Sequence, residues 1–425
     1  MLAASDDGKK RRVVITGLGV ITSLSCEVES LWQRILAGES GIHHLKCFST
    51  DEFKVKFGGD IWDWPSDDSG ISPKDLKRLD RFTQFAMVAG RKALLDSGLE
   101  FSKEDPYRCG VILGSGIGGL GEIETQMRRL FYKGPDRVSA LTVPKMMLNA
   151  AGSNLSIEYG LRGPNFTVAT ACASATNAIG DALKTIQHGD AEVMVTGGTE
   201  AAMTRMGLSA FQNIKALSTR NEEPTKASRP FDADRDGFVF SEGAGLIVFE
   251  ELEHARARGA RIYSEVLGFG ASGDAGHITQ PDGDGAGAAR AMSAALQNAR
   301  LAPESVDYIN AHGTSTPLGD KAETLALKSV FGKHAYQLSI SSTKSQLGHS
   351  LGASGGVELI ITAKALQENI VPPTINLDTP DPDCDLDYTP HEPKPCHLSV
   401  AMSNSFGFGG HNASVILGEF GNGKA

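Results

Sequence analysis

Short runs of β-branched and apolar residues alternate along the chain with Ala/Leu segments at helical spacing, the rhythm of an α/β protein with buried strands. RRVVITGLGV, YRCGVILGSGIG, FTVATA, AEVMVTGG and GAGLIVFEE read as strands of the first half. SEVLGFG, VDYINAHG, LSISSTK, VAMSNSFGFGG and NASVILGEF read as strands of the second. The halves also resemble each other. KALLDSGLEFSKEDPYRCGVILGSGIG and SAALQNARLAPESVDYINAHGTSTP both run helix, Leu turn, acidic linker, buried strand and small-residue loop. FTVATACASATNAIGDAL and LSISSTKSQLGHSLGASGGVELI both run strand, polar turn and small-residue helix. A duplicated α/β unit accounts for both pairs. The join falls near residues 252–264, which predicts one half over residues 1–260 and a second over 261–425. Facing copies would bring strand ends together, and carboxyl ends are where α/β sheets place chemistry.

Composition narrows the picture. A chain of 425 residues can bury a large core as two units. Its 41 basic and 51 acidic side chains give a net charge of −10, which argues against a general nucleic-acid binder. Any acidic partner must therefore meet a local basic patch. No apolar run reaches the length of a membrane helix, and MLAASDDGKKRR lacks a signal-peptide core, so the expected compartment is the cytoplasm. The cysteines at 26, 47, 109, 172, 384 and 396 lack CxxC spacing and read as reduced thiols.

Three polar clusters lie just after predicted strands. They are Cys172 in TACASA, His312 in NAHGTSTPLGDKAE, and Lys344 with His349 in SSTKSQLGHSLGASGGVE. A free cysteine is commonly a buried hydrophobe. At a helix N-terminus, however, the dipole is expected to lower its pKa, and its small neighbours let an electrophile approach. Two histidines facing it can donate hydrogen bonds to a carbonyl and stabilise an enolate without a metal. A zinc site is the alternative for a Cys/His/His set, but paired-ligand spacing is missing. GFGG at 407–410 offers backbone donors for an oxyanion hole. GSGIGGLG at 114–121 matches the dinucleotide fingerprint GxGxxG, yet no second strand ending in an acidic residue follows, so it reads better as a turn lining a pocket.

With RRVVITGLGVIT, TACASA, ALSTRN, SRPFDADRDGF, NAHGTSTPLGDKAE, SSTKSQLGH, VPPTINLD and NSFGFGG in order, the chain resembles the β-ketoacyl-acyl carrier protein synthases (KAS I/II type, closer to KAS II) of the thiolase-like superfamily. The resemblance covers essentially everything after residue 11. It implies a thiolase-like fold of two pseudo-repeated α/β halves in a five-layered αβαβα sandwich, and a homodimer. It also implies an acyltransferase of fatty acid elongation that needs no catalytic cofactor, its substrates being carried on the phosphopantetheine of acyl carrier protein. In that scheme Cys172 takes the acyl chain, the N–H groups of Cys172 and Phe408 form the oxyanion hole, and His312 and His349 assist decarboxylation of malonyl-ACP, supported by Lys344 and Glu323.

Further residues are carried over in the same way. Thr314 and Thr316 correspond to phosphopantetheine contacts, and Ile117, Phe238, Phe406 and Gly409 to the acyl pocket and the gate at Phe408. Lys74, Lys77, Arg78, Arg137 and Lys215 correspond to the surface that docks acyl carrier protein. Some members hold a structural monovalent cation near residues matching Asn310, Glu323, Glu358 and Asn404. Asp136, where the family is often basic, and His411, where GFGGTN is commoner, are departures. A polyketide-type condensing enzyme would use the same residues. A thiolase would carry a second cysteine in the NSFGFGGHN loop, the initiating synthases pair histidine with asparagine, and a chain-length factor usually loses the cysteine.

Overall fold

The computed structural model describes residues 10–64 and 69–421. The main-sheet strands of the first half are β1 (Val13–Ile21), β2 (Cys109–Gly114), β3 (Asn165–Val168), β4 (Val193–Glu200) and β5 (Gly243–Glu251). The second half contributes β6 (Ser264–Gly273), β7 (Tyr308–Asn310), β8 (Ser339–Ser341), β9 (Val400–Gly407) and β10 (His411–Glu419). They form one ten-stranded sheet in the order β3-β2-β4-β5-β1-β6-β10-β9-β7-β8. Each strand of the first half has its counterpart five strands later, at the mirrored position. Strand sense follows suit: β2 is parallel to β3 and β4, and β7 to β8 and β9. The remaining pairs within each half are antiparallel. Among the described residues, strands of the two halves pair with each other where Val14 and Ile15 face Glu265 and Ser264.

Six helices fill the layers. They are α1 (Arg81–Ser97), α2 (Ala150–Tyr159), α3 (Ser174–Gln187), α4 (Ala286–Ala299), α5 (Pro317–Phe331) and α6 (Ser354–Glu368). The first three sit on the first half as the last three sit on the second. Helices α3 and α6 touch each other and pack on strands of both halves, while α1 with α2 and α4 with α5 cover the outer faces. That is the αβαβα layering.

Small residues make these approaches close. A Cβ at Gly17 would lie 2.1 Å from the Ala93 carbonyl oxygen and one at Gly19 1.9 Å from that of Ala89, so the glycines of ITGLG let α1 rest directly on β1. Gly356 in α6 meets β5 likewise, its Cβ position lying 2.2 Å from the Gly245 oxygen. Helix α6 is almost entirely buried, which explains its apolar ELIITAKAL run. Each such Leu or Ile contributes about 1.5–3 kcal/mol.

A buried ionic cluster ties the helix after β5 to the sheet. Glu250 is fully buried and accepts from His254 Nδ1 (2.9 Å), Arg258 and Thr16. His254 Nε2 lies 2.8 Å from Glu104. The Glu250 and Glu104 hydrogen bonds raise the His254 pKa from 6.5 to about 9. A folded pKa above the unfolded value stabilises fully below about 6.5, and this contribution fades as pH rises through about 9. Between these values wild-type stability is expected to fall more steeply with pH than that of His254→Ala. Urea unfolding at several pH values measures the difference, and parallel curves would contradict the cluster's role.

Candidate active site

Cys172 sits on a tight turn, Ala171–Ala173, between β3 and α3. Ala171 has φ +50°, a left-handed conformation uncommon for a residue with a Cβ. The same device precedes α6, where Leu351 has φ +49°, so the strained turn is part of the duplicated unit. Gly407, at the end of β9, lets that strand close on the turn, for a Cβ there would be 3.0 Å from the Cys172 nitrogen. The N–H groups of Phe408 and Cys172 lie close enough to favour negative charge on the sulfur.

The thiol is 7% exposed. Burial pushes its pKa up to about 11, and the two N–H groups and Lys344 offset only part of this. This corrects the sequence expectation of a lowered pKa: desolvation of the thiolate outweighs the helix N-terminus. The resting sulfur is a neutral thiol.

His312 follows β7, where its own N–H and that of Gly313 donate to the Glu323 carboxylate at 2.9 and 2.8 Å. His349 follows the short helix Lys344–Leu347, and its N–H donates to the Val239 carbonyl at 2.7 Å. The two imidazole centroids are 5.3 Å apart with the rings at 86°. Phe238 packs 5.3 Å from His349 and Phe406 5.8 Å from His312. Burial, then the charge of Lys344, holds both histidine pKa values well below 6.5, so both rings are neutral near neutral pH. His349 Nδ1 meets Ser354 Oγ at 2.9 Å, while its Nε2 and His312 Nδ1 are buried without a protein partner.

Lys344 and Glu358 form a buried ion pair behind the histidines. Burial pushes Glu358 up to about 7 despite Lys344, and does the same to Glu323 despite the N–H groups it accepts.

Cys172, His312, His349, Glu323 and Phe408 all line one cleft of ≈ 450 Å³. Ile117, Phe238, Thr314, Thr316 and Phe406 line it too, with exposed Lys215 on its wall. Lys344 stands behind the wall. Gly409 is also outside the lining, its N–H donating to the Ile278 carbonyl at 2.7 Å. Lys74, Lys77, Arg78 and Arg137 are exposed and do not line the cleft, and Asp136 and His411 are exposed as well.

The first part of the motif SRPFDADRDGF proves to be scaffold, while its last three residues, Asp236, Gly237 and Phe238, line the cleft. Arg229 pairs with Asp232 and Asp378, and Arg235 with Asp320 and Asp381. Asp320 in turn accepts from the N–H groups of Phe231 and Ser315, fixing the loop of Thr314 and Thr316. The glycine turn at 116–118 wraps a buried carboxylate, Glu200, which would repel the phosphate of a dinucleotide. Sequence reasoning missed Glu200, although a charged end to the apolar run AEVMVTGGTE was a signal. It also missed the wall formed by Thr279, Gln280, Pro281 and Asp282, where a Gly/Asp-rich loop gives none.

Residues 10–255 match the family described as Beta-ketoacyl synthase, N-terminal domain, and residues 263–378 its C-terminal domain. The chain is 50% identical over 410 residues to a 3-oxoacyl-[acyl-carrier-protein] synthase 2 of Vibrio cholerae, covering 96% of this chain and 99% of that one. It is 48% identical over 409 residues to the same-named protein of Coxiella burnetii, with 96% and 99% covered. Among solved structures, a type II PKS ketosynthase in complex with its acyl-carrier protein and bound to a hexaketide matches at TM-score 0.91 and 33% identity, covering 97% of this chain and all of that one. A beta-ketoacyl synthase from Burkholderia phymatum matches at 0.89 and 35%, with the same coverage. With a thiol and two neutral imidazoles in one cleft and both family domains matched, the chain belongs to the beta-ketoacyl synthase family.

Proposed function

We propose that this protein is a β-ketoacyl-ACP synthase of fatty acid elongation, of the KAS II type. The observation that carries the mechanism is the convergence in one cleft of a thiol, whose charged form the N–H groups of Cys172 and Phe408 favour, and two neutral imidazoles.

Cys172 Sγ attacks the thioester of acyl-ACP, and its proton leaves with the phosphopantetheine thiol. The N–H groups of Cys172 and Phe408 hold the oxyanion of that step. Malonyl-ACP then enters along Thr314 and Thr316. His312 and His349, neutral and able to donate, hold its thioester oxygen as the carboxylate departs as CO2 and an enolate forms. The enolate carbon attacks acyl-Cys172, the carbon–sulfur bond breaks, and the thiolate regains a proton. The products are 3-oxoacyl-ACP and CO2. Glu323 and Lys344 act through the histidines, the first by fixing the His312 backbone, the second by its charge. Phe408 and Gly409 form the gate, and Ile117, Phe238 and Phe406 line the space for the chain.

The partner is acyl carrier protein, which is acidic, docking on Lys74, Lys77, Arg78, Arg137 and Lys215. A second copy of the chain covers the exposed apolar residues Met127, Phe131 and Tyr132 and the edge strand β3. Asn310, Glu323, Glu358 and Asn404 would hold a structural monovalent cation. Their oxygen donors fit one, since the amide oxygen of Asn310 and one Glu358 oxygen are buried without a partner. Such an ion would supply charge balance beneath His312. No helix among the described residues is long and apolar enough to cross a membrane, in keeping with a cytoplasmic enzyme.

The likeness to a type II PKS ketosynthase favours a polyketide role as the second reading, though at 33% identity against 50% for the synthase relative. Incubation with acyl-ACP and malonyl-ACP tests the proposal. The expected result is 3-oxoacyl-ACP two carbons longer, with one CO2 per turnover. Malonyl-ACP left intact with every acyl-ACP would overturn it.

A further inference from the structure

Glu200 is the last residue of β4, fully buried, and lines the cleft that holds Cys172. No step above uses it. Its carboxylate accepts five hydrogen bonds from two separate turns. Oε1 takes the Ser115 hydroxyl (3.1 Å) and the N–H groups of Ile117 (3.2 Å) and Gly118 (3.3 Å). Oε2 takes the N–H of Gly116 (2.7 Å) and, from the other half of the molecule, that of Gly352 (3.2 Å). Gly352 occupies in the second half the place of Cys172 in the first, between Leu351 and Ala353. The turns are in direct contact: a Cβ on Gly352 would lie 2.5 Å from the Gly116 nitrogen and 2.7 Å from the carboxylate. Ile117 and Leu351, carried by these two turns, pack in the same apolar cluster as Cys172.

A buried carboxylate is costly, and burial does raise the Glu200 pKa. A fold needing only rigidity at this point could use an apolar contact. A carboxylate gathers converging N–H groups, which an aliphatic side chain cannot do.

We propose that Glu200 is a positioning residue for chain-length selection: by pinning the Gly116–Gly118 turn to the Leu351–Ala353 turn, it fixes where Ile117 stands beside Cys172. The inference rests on the reading of Cys172 as the acyl carrier. A small shift of one aliphatic wall changes discrimination between chains by roughly tenfold or more per methylene.

In Glu200→Gln, the amide nitrogen turns donors toward at least two N–H groups that had an acceptor, so the turn is released without a change in side-chain size. The probe is a set of acyl-ACPs of short, medium and long chain, mixed singly with protein, with the rate of Cys172 acylation read by intact mass. Glu200→Gln is expected to change the ratio of long-chain to short-chain rates by roughly tenfold. Ile117→Ala is expected to change the same ratio, and adding Glu200→Gln to it to change the ratio little further, because Glu200 acts through Ile117. A merely structural role would slow all lengths by one common factor, and that result, or an unchanged ratio, overturns the proposal. If Glu200→Gln does not fold, Glu200→Asp serves instead, since it keeps the charge but withdraws it by one methylene; an unchanged ratio there also overturns it. Failure of the underlying reading looks different: wild-type protein would form no adduct with any length.

Discussion

His349→Ala is expected to keep the first half-reaction and lose the second. Acyl transfer from acyl-ACP to Cys172 should stay near the wild-type rate, because the donors proposed for the oxyanion of that step are the backbone N–H groups of Cys172 and Phe408, not His349. Decarboxylation of malonyl-ACP should fall about 10²–10³-fold, the usual cost of one donor to a developing oxyanion. The His349 ring is set up for that task. Burial and Lys344 keep it neutral, Ser354 engages Nδ1, and Nε2 has no protein partner. In the tautomer in which the Ser354 hydroxyl donates to Nδ1, the proton sits on Nε2, where it can meet an enolate oxygen. Single-turnover measurement of acyl-enzyme formation and of CO2 release separates the two steps. Equal losses in both would show that His349 holds the fold of the cleft rather than the enolate.

Cys172→Ala should give the opposite pattern. Condensation should fall to background, since no other cysteine lines the cleft. Decarboxylation of malonyl-ACP should persist, because neither histidine hydrogen-bonds the sulfur. Removing a thiol from the apolar cluster that also holds Phe238, Leu351 and Met203 costs about 1–2 kcal/mol, so the variant should fold. The two variants together divide the reaction at the acyl-enzyme. A Cys172→Ala protein that still condenses would leave the thiol without a chemical role.

Much of this was legible in the sequence because it depends on short-range pattern. Each of the ten strands of the sheet overlaps one of the β-branched runs, some ending beyond it, as at Glu200 and Gly273, and the duplication is visible in the repeated succession of helix, linker, strand and small-residue loop. Cys172 and the histidines stand at strand ends in both halves, and such ends meet when a unit is duplicated. The thiol's protonation was not legible. The helix-start position pointed to a lowered pKa, whereas burial by Phe238, Leu351 and their neighbours decides it, and those residues come from distant segments. Glu200 was hidden for the same reason: its five donors come from residues 115–118 and 352. SRPFDADRDGF could be singled out, but its work as an ion-paired brace appears only once Asp320, Asp378 and Asp381 are placed beside it.

The central claim is that Cys172 carries the acyl chain as a thioester. Intact mass of the protein after mixing with acyl-ACP alone, followed by peptide mapping, tests it most directly. The account predicts a mass gain of one acyl group, located on the peptide containing Cys172, released by hydroxylamine and missing in Cys172→Ala. A wild-type protein that gains no mass, or an adduct that survives in Cys172→Ala, would contradict it.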